Sequence, residues 1–368
     1  MNEDISSKTM KSLEQAREFA EVSDKEFFVK KKRVELQYDE IRRGEEILKK
    51  IEKIDFFEHN PERVQQVHDR FHDYLEAASR RLMFIDNDSF FNEVVPFFAK
   101  SLILIGATSG EGKSTCIANV VTGLIQTKKK AIIITNEEQE EDFCARILAI
   151  MSGKNFSNHD TLSEEDKEFY KKGVLALADH KIKIIDNTYN NIEYPTTSIE
   201  GLRSILESLK KAHREEGRMF DAILIDYYQN FSFSLNNPSA KEWENLKVTT
   251  EMLENFRKEV PMPIVLMCQI KSPSADEENQ EPFKNRIEGG KSIFNRATCV
   301  LEIRADKKNL CTEWHVHKNR FNPASNGKVY RTGWDRGKYV PYDDAFKKKV
   351  QEWKNKQLER ELNGLRKG

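Results

Sequence analysis

From Lys100 onward the chain alternates short apolar runs with longer stretches whose apolar residues recur at helical spacing. The runs are SLILIGA (101–107), AIIIT (131–135), KIKIID (181–186), AILID (222–226), IVLMCQ (264–269), TCVLEIR (298–304) and TEWHVHK (312–318). Helical patterns lie between the first five, at 114–127, 138–151, 162–179, 198–214 and 240–259. Strands built almost wholly of Ile, Leu and Val are apolar on both faces, and an intervening helix supplies the crossover that parallel pairing needs. The pattern predicts an α/β fold with a mostly parallel sheet. The last two runs follow each other without a helix, so both are expected to extend the sheet as antiparallel strands.

The flanks read differently. Residues 1–85 hold one proline and one glycine, are rich in Lys and Glu, and repeat Val34, Tyr38, Ile41, Leu48 and Ile51 on one helical stripe. Asn60-Pro61, an N-cap followed by proline at the first helical position, announces a helix continuing through Val64, Val67, Phe71, Leu75 and Ala78. Stripes this thin cannot build a large core. A short helical N-terminal arm (1–85, last helix at 61–82) is expected, packed on its own domain or docked on a neighbouring subunit. One large domain (86–342) follows, then a tail (343–368) in which Phe346, Val350, Trp353 and Leu358 trace a basic amphipathic helix.

Composition excludes several classes. Lys+Arg 60 stand against Asp+Glu 61, so the chain is no polybasic binder, and any nucleic-acid contact must come from locally placed charge. No apolar run approaches the roughly 18 residues of a membrane span. The polar start lacks the apolar core of a signal peptide, and a cytoplasmic protein without membrane contact is expected. Cys116, Cys144, Cys268, Cys299 and Cys311 form no C-x-x-C pair, and their apolar neighbours mark them as buried rather than zinc-binding. His315 and His317 share one face of a strand, with no Asp or Cys following at ligand spacing.

The chemistry concentrates in a few strand ends. Ala107-Thr108-Ser109-Gly110-Glu111-Gly112-Lys113-Ser114-Thr115 sits where a strand pattern meets a helix pattern, and fits G-x-x-x-x-G-K-[ST] except that Ala107 replaces the first glycine. Gly110 and Gly112 permit the open torsions that turn backbone N–H groups and a helix N-terminus toward phosphate oxygens. Lys113 would reach the β and γ phosphates and the Ser114 hydroxyl a Mg²⁺ ion. Residues 107–115 therefore predict a nucleotide site with ATP and Mg²⁺ as cofactors. The run ending in Asp226 delivers a carboxylate to the same sheet edge, within reach of the metal shell. Tyr227 and Tyr228 follow where many phosphate-loop ATPases carry a catalytic Glu, so the base must come from another strand. AIIIT ends in Asn136-Glu137-Glu138, which makes Glu137 the candidate to orient or deprotonate water; a solvated first helical turn is the competing reading of EEQEED. Gln269 ends IVLMCQ as a neutral group suited to sensing the γ phosphate. The loop 271–291 that follows closes on Gly289-Gly290-Lys291. Lys318 and Arg320 end the last run, where they would complete their own site or a neighbour's.

In order and spacing, ATSGEGKST, IITNEEQEEDFCAR, IIDNT, ILIDYYQN, IVLMCQ and VHKNRF resemble the DnaB-type replicative helicases, ring ATPases of bacteria and their phages with a RecA-like motor. IDYYQ is similar to the family's I-D-Y-L-Q. Glu137 with Arg146 matches its S-L-E-M…R stretch, whose Glu is catalytic, and K-N-R-F resembles the K-x-R segment that supplies Lys and Arg in trans. The resemblance covers residues 85 to about 340. It implies a RecA-like phosphate-loop core, Arg146 beside the nucleotide, a homohexameric ring and single-stranded DNA as partner. The family's N-terminal domain is replaced by charged helical residues, so its contacts to primase or a helicase loader do not carry over, although either stands as a candidate partner. The segment RIEGGKSIFNR replaces R-x-S-G-S-I-E-Q in the second DNA loop, leaving Arg286, Gly289, Gly290 and Lys291 as DNA-binding candidates in an offset register. The expected function is a phage or plasmid replicative helicase. A RecA-like recombination or assembly ATPase without unwinding, and a partner-binding scaffold without turnover, are the alternatives.

Overall fold

The computed structural model describes residue 65, 100–154, 156, 162–179, 182–186, 195–217, 220–260, 262–272, 281–288 and 291–365. The chain divides into two compact units, Met1–Arg70 and Phe71–Gly368, and apart from Gln65 the described residues lie in the second. The expected arm and its 61–82 helix fall outside the described residues.

Among the described residues, nine strands form one sheet in the order β3-β2-β4-β5-β1-β6-β7-β8-β9. They are β1 (Leu102–Ala107), β2 (Ala131–Thr135), β3 (Ile182–Ile185), β4 (Ala222–Asp226), β5 (Ile264–Gln269), β6 (Cys299–Asp306), β7 (Cys311–Asn319), β8 (Val329–Asp335) and β9 (Lys338–Pro341). Helices α1 (Lys113–Gln126), α2 (Glu140–Ser152), α3 (Glu164–Asp179), α4 (Ile199–Glu216) and α5 (Glu242–Glu259) connect the first five strands. Two short helices, α6 (Phe283–Arg286) and α7 (Lys291–Arg296), precede β6, and α8 (Asp344–Leu365) ends the chain. Alternation divides each central strand between two cores: Ile103, Ile105, Ile133 and Leu224 pack with α1 and α2, while Leu102, Leu104, Ile223 and Ile225 pack with α4 and α5. Because both faces are buried, the strands read as unbroken apolar runs.

One expectation is corrected. β6 pairs parallel with β1, and only β7, β8 and β9 run antiparallel. The 270–298 connection is long enough, with α6 and α7 on it, to cross β1 and return β6 in the same direction. The tail is helical, with Phe346 and Val350 buried and the Phe346 ring lying over Gly333. All five cysteines are buried and free. Among the described residues, no helix is long and apolar enough to cross a membrane.

Candidate nucleotide site

The pairing register brings four strand ends to one edge. Ala107 of β1 lies opposite Gln269 of β5, and Thr135 of β2 lies opposite Asp226 of β4. In an open parallel sheet this carboxyl edge is where ligands bind. From β1 the chain turns through Gly110 and Gly112, whose φ angles of 79° and 92° are left-handed, and α1 begins at Lys113. The first helical bond, from Cys116 N–H to the Gly112 carbonyl, is 2.8 Å. Glu111 leans away from the loop and accepts the Ala305 N–H, tying the turn to β6.

Lys113 is buried, and its Nζ donates to Gln269 Oε1 at 2.7 Å. Its ammonium also lies over the Tyr227 ring, 5.6 Å from the centroid. Asp226 is fully buried, and both its carboxylate oxygens lack a hydrogen-bond partner of good geometry. Burial pushes its carboxyl up to about 6; the neighbouring Ser114 hydroxyl and Lys113 pull it down, while Glu137 and Glu138 push it up. An unpartnered buried carboxylate is costly unless something arrives to compensate it. Hard oxygen donors from Asp226 and Ser114, beside a phosphate cradle, fit a divalent cation carried in with a nucleotide.

The sequence points to Glu137, and the two neighbouring glutamates differ in their surroundings. Glu138 takes a two-point ion pair from Arg146, whose Nε donates to Oε2 at 3.3 Å while Nη2 donates to Oε1. Arg146 Nη1 also reaches Thr115 Oγ1 at 3.5 Å, which sets this residue against the phosphate loop. Glu137 is exposed and, among the described residues, makes no such pair. Asn136, not singled out from the sequence, fixes the turn that carries it: its N–H donates to the Asp226 carbonyl at 2.9 Å and its Oδ1 accepts the Tyr227 N–H at 2.9 Å. A cavity of about 260 Å³ opens beside Gly110, Gly112, Thr115, Ala305 and Trp334, and one of about 800 Å³ beside Thr115, Arg146 and Lys154. Either offers room for the rest of a nucleotide.

Lys318 and Arg320 are elsewhere. Arg320 N–H donates to the Thr298 carbonyl, and Thr298 N–H to the Leu102 carbonyl, so Arg320 stands level with the start of β1; Lys318, opposite Val300, stands level with Leu104. The phosphate loop leaves the far end of that strand, about 16 Å from its start at the usual rise per residue. The Arg320 side chain does not span that distance. Lys318 Nζ instead donates to the Phe294 and Asn295 carbonyls, each at 2.8 Å, and Arg320 Nη2 to Asn295 at 3.1 Å, at the end of α7. Burial, with Arg320 alongside, pulls the Lys318 ammonium down to about 8.

The DNA-binding candidates divide. Arg286 is buried and ion-paired to Glu302 at 2.5 Å, so it is withdrawn from any ligand and is corrected to a structural role. Glu302 also holds Arg304 at 2.8 Å and His317 at 2.9 Å. Lys291 is exposed at the start of α7, and Gly289 and Gly290 lie outside the described residues.

Known proteins resemble this chain in sequence and in fold. Replicative DNA helicase DnaB of Helicobacter pylori is 24% identical over 203 residues, which are 55% of this chain and 39% of that protein. Its counterpart in Mycoplasma pneumoniae is 22% identical over 250 residues, 62% of this chain and 50% of that protein. The chain thus aligns with half or less of these curated relatives. In fold, it is similar to a solved isolated ATPase domain, with a TM-score of 0.59 at 12% identity, covering 76% of this chain and 99% of that one. It is also similar to a DnaB-like replicative helicase described with its interactions with primase, with a TM-score of 0.58 at 13% identity, covering 93% of this chain and 78% of that one. Residues 89–332 match the DnaB-like helicase C terminal domain, and the chain belongs to that family.

Proposed function

We propose that the protein is an ATP-dependent replicative DNA helicase that moves on single-stranded DNA as a homohexameric ring. The observation that carries this reading is the split of the catalytic groups across the sheet. Lys113, Ser114, Asp226 and Glu137 meet at one edge, while Arg320 stands at the other end of the strands and Lys318, midway along them, is held at the end of α7. A subunit so arranged cannot complete its own site. It can complete a neighbour's if subunits associate head to tail, and such interfaces form a ring when the rotation between subunits closes.

Within the site, the N–H groups of residues 108–113 and the Lys113 ammonium would hold the phosphates of ATP, and Asp226 with Ser114 would hold Mg²⁺. Mg²⁺, when bound, neutralises charge on the phosphate oxygens. Glu137, fixed by Asn136 at the adjoining strand end, orients the attacking water and takes its proton. Gln269 shares Lys113 with the phosphates and so reports whether the γ phosphate is present. Lys318 and Arg320 act on the neighbouring subunit's ATP, stabilising charge that develops during transfer. DNA contact falls to Lys291 and the loops after β4 and β5, is mostly ionic, and weakens steeply with salt.

The test is strand displacement on a forked duplex, with ATP hydrolysis measured with and without single-stranded DNA. Unwinding with stimulated hydrolysis is expected. Stimulated hydrolysis without unwinding would point to a recombination or assembly ATPase instead, and no hydrolysis to a scaffold.

A further inference from the structure

Gln229 follows β4 in the 3-10 turn Tyr228–Phe231 and is buried. Strands β4 and β5 pair as far as Ile225 and Leu266. Beyond that point the Gln229 side chain continues the ladder in place of backbone. Its Oε1 accepts the Gln269 N–H at 3.0 Å, and its Nε2 donates to the Gln269 carbonyl at 2.8 Å and the Glu288 carbonyl at 3.1 Å. The Glu288 N–H closes the ring with a 3.4 Å contact to the Gln269 carbonyl. Both amide protons and the amide oxygen are therefore committed, to two segments far apart in sequence.

Gln269 is held on its other side by Lys113, through Oε1 at 2.7 Å. An ammonium bonds phosphate oxygens more strongly than a neutral amide, so an arriving phosphate competes for Lys113 and frees the Gln269 side chain. The Gln269 backbone, gripped on both its N–H and its carbonyl, can shift only together with Gln229 and Glu288. The rest of this loop base is pinned: Ile270 bridges Ile287, Arg286 is buried on Glu302, and the Phe283 ring fills the space where a Cβ on Gly106 would sit. Glu288, three residues before the exposed Lys291, is the point of this base that shares its bonds with the sensor.

We propose that Gln229 is a positioning residue that couples nucleotide occupancy at Lys113 and Gln269 to Glu288, and through it to single-stranded DNA. This rests on the helicase reading for the identity of the second ligand. Removing the amide should leave both binding sites built and break the link between them.

The experiment uses the full chain with Gln229→Met, of similar length but without hydrogen bonds, and Gln229→Glu, which keeps the acceptor and loses the donors. Affinity for a fluorescent oligothymidylate is measured with and without Mg²⁺ and a non-hydrolysable ATP analogue. Affinity for a fluorescent ATP analogue is measured with and without the oligonucleotide. Linkage requires both pairs to give one coupling factor, typically about 5–150-fold in coupled systems, and both variants should bring it toward unity. Each ligand alone should bind within about threefold of wild type, since losses confined to coupling leave single-ligand affinities intact. Wild-type coupling in either variant overturns the proposal. So does loss of nucleotide binding in step with thermal stability, the mark of a merely structural residue. Failure of the wild type itself to bind the oligonucleotide overturns the helicase reading and this proposal with it, and it appears in the unsubstituted protein rather than in the variants.

Discussion

Asp226 and Glu137 are carboxylates a strand apart whose surroundings suit them to the opposite tasks proposed for them. Asp226 is sealed from water with both oxygens unpartnered, a state suited to meeting a cation, whereas Glu137 is open to solvent, a state suited to meeting water. Glu138 is held by Arg146 and is removed from either task. Glu137→Gln is expected to lower kcat about 10²–10⁴-fold, as loss of a general base does, with nucleotide binding kept. Glu138→Gln frees Arg146 and should show mainly in nucleotide affinity. Steady-state hydrolysis and a nucleotide titration on both variants check this, and the reverse pattern would transfer the base to Glu138. The sequence placed Glu137 and Glu138 at the strand end beside Asp226 because an apolar run stops there, and it pointed to Glu137. The Arg146 pair that holds Glu138 was not legible, since it comes from a side chain on the next helix. Asn136, and Gln229 within IDYYQ, were given no role for the same reason: a neutral amide after a strand looks like turn chemistry until its partners are seen.

At the level of elements, legibility followed burial. β1 to β5 and their helices were readable because each strand is apolar on both faces and each helix buries one stripe. β8 and β9 were not, being partly exposed strands at and beside the sheet's edge, and α6 and α7 each have too few residues to show a period. Arg286 was misread because a cation in a loop looks free, and its partner Glu302 comes from a strand on the far side of that loop. Breaking a buried pair by removing one partner costs about 3–5 kcal/mol. Arg286→Ala should therefore lower the unfolding midpoint by several degrees or more, measured by differential scanning calorimetry. Burial alone would raise the Glu302 carboxyl, but bonds from His317, Arg304 and Arg286 hold it well below the usual carboxylate range. A depressed carboxyl stabilises fully above its ordinary value of 4.5 and loses that contribution as the pH falls through its folded value. Glu302→Gln should accordingly flatten the acid limb of stability against pH, and an unchanged limb would show that other carboxylates govern it.

For the whole molecule, near-zero net charge and a divided set of charges have one explanation in the proposed ring. There, a few cations per subunit would suffice when several subunits face one channel, so local charge would replace bulk charge. In that ring each site would belong to two subunits, which mixing can expose. Lys113→Ala destroys a subunit's phosphate loop and spares the cations it offers a neighbour; Arg320→Ala does the opposite. Each variant alone should be inactive in hydrolysis. Mixed in equal amounts and allowed to exchange, about one interface in four joins an intact phosphate loop to an intact Arg320, as random head-to-tail order requires. Hydrolysis should then recover to roughly a quarter of wild type and trace a maximum near equal ratio. Activity flat at zero across all ratios, with exchange verified by a labelled subunit, would mean that Arg320 serves its own subunit's site or none, against the separation of about 16 Å that strand geometry sets between them.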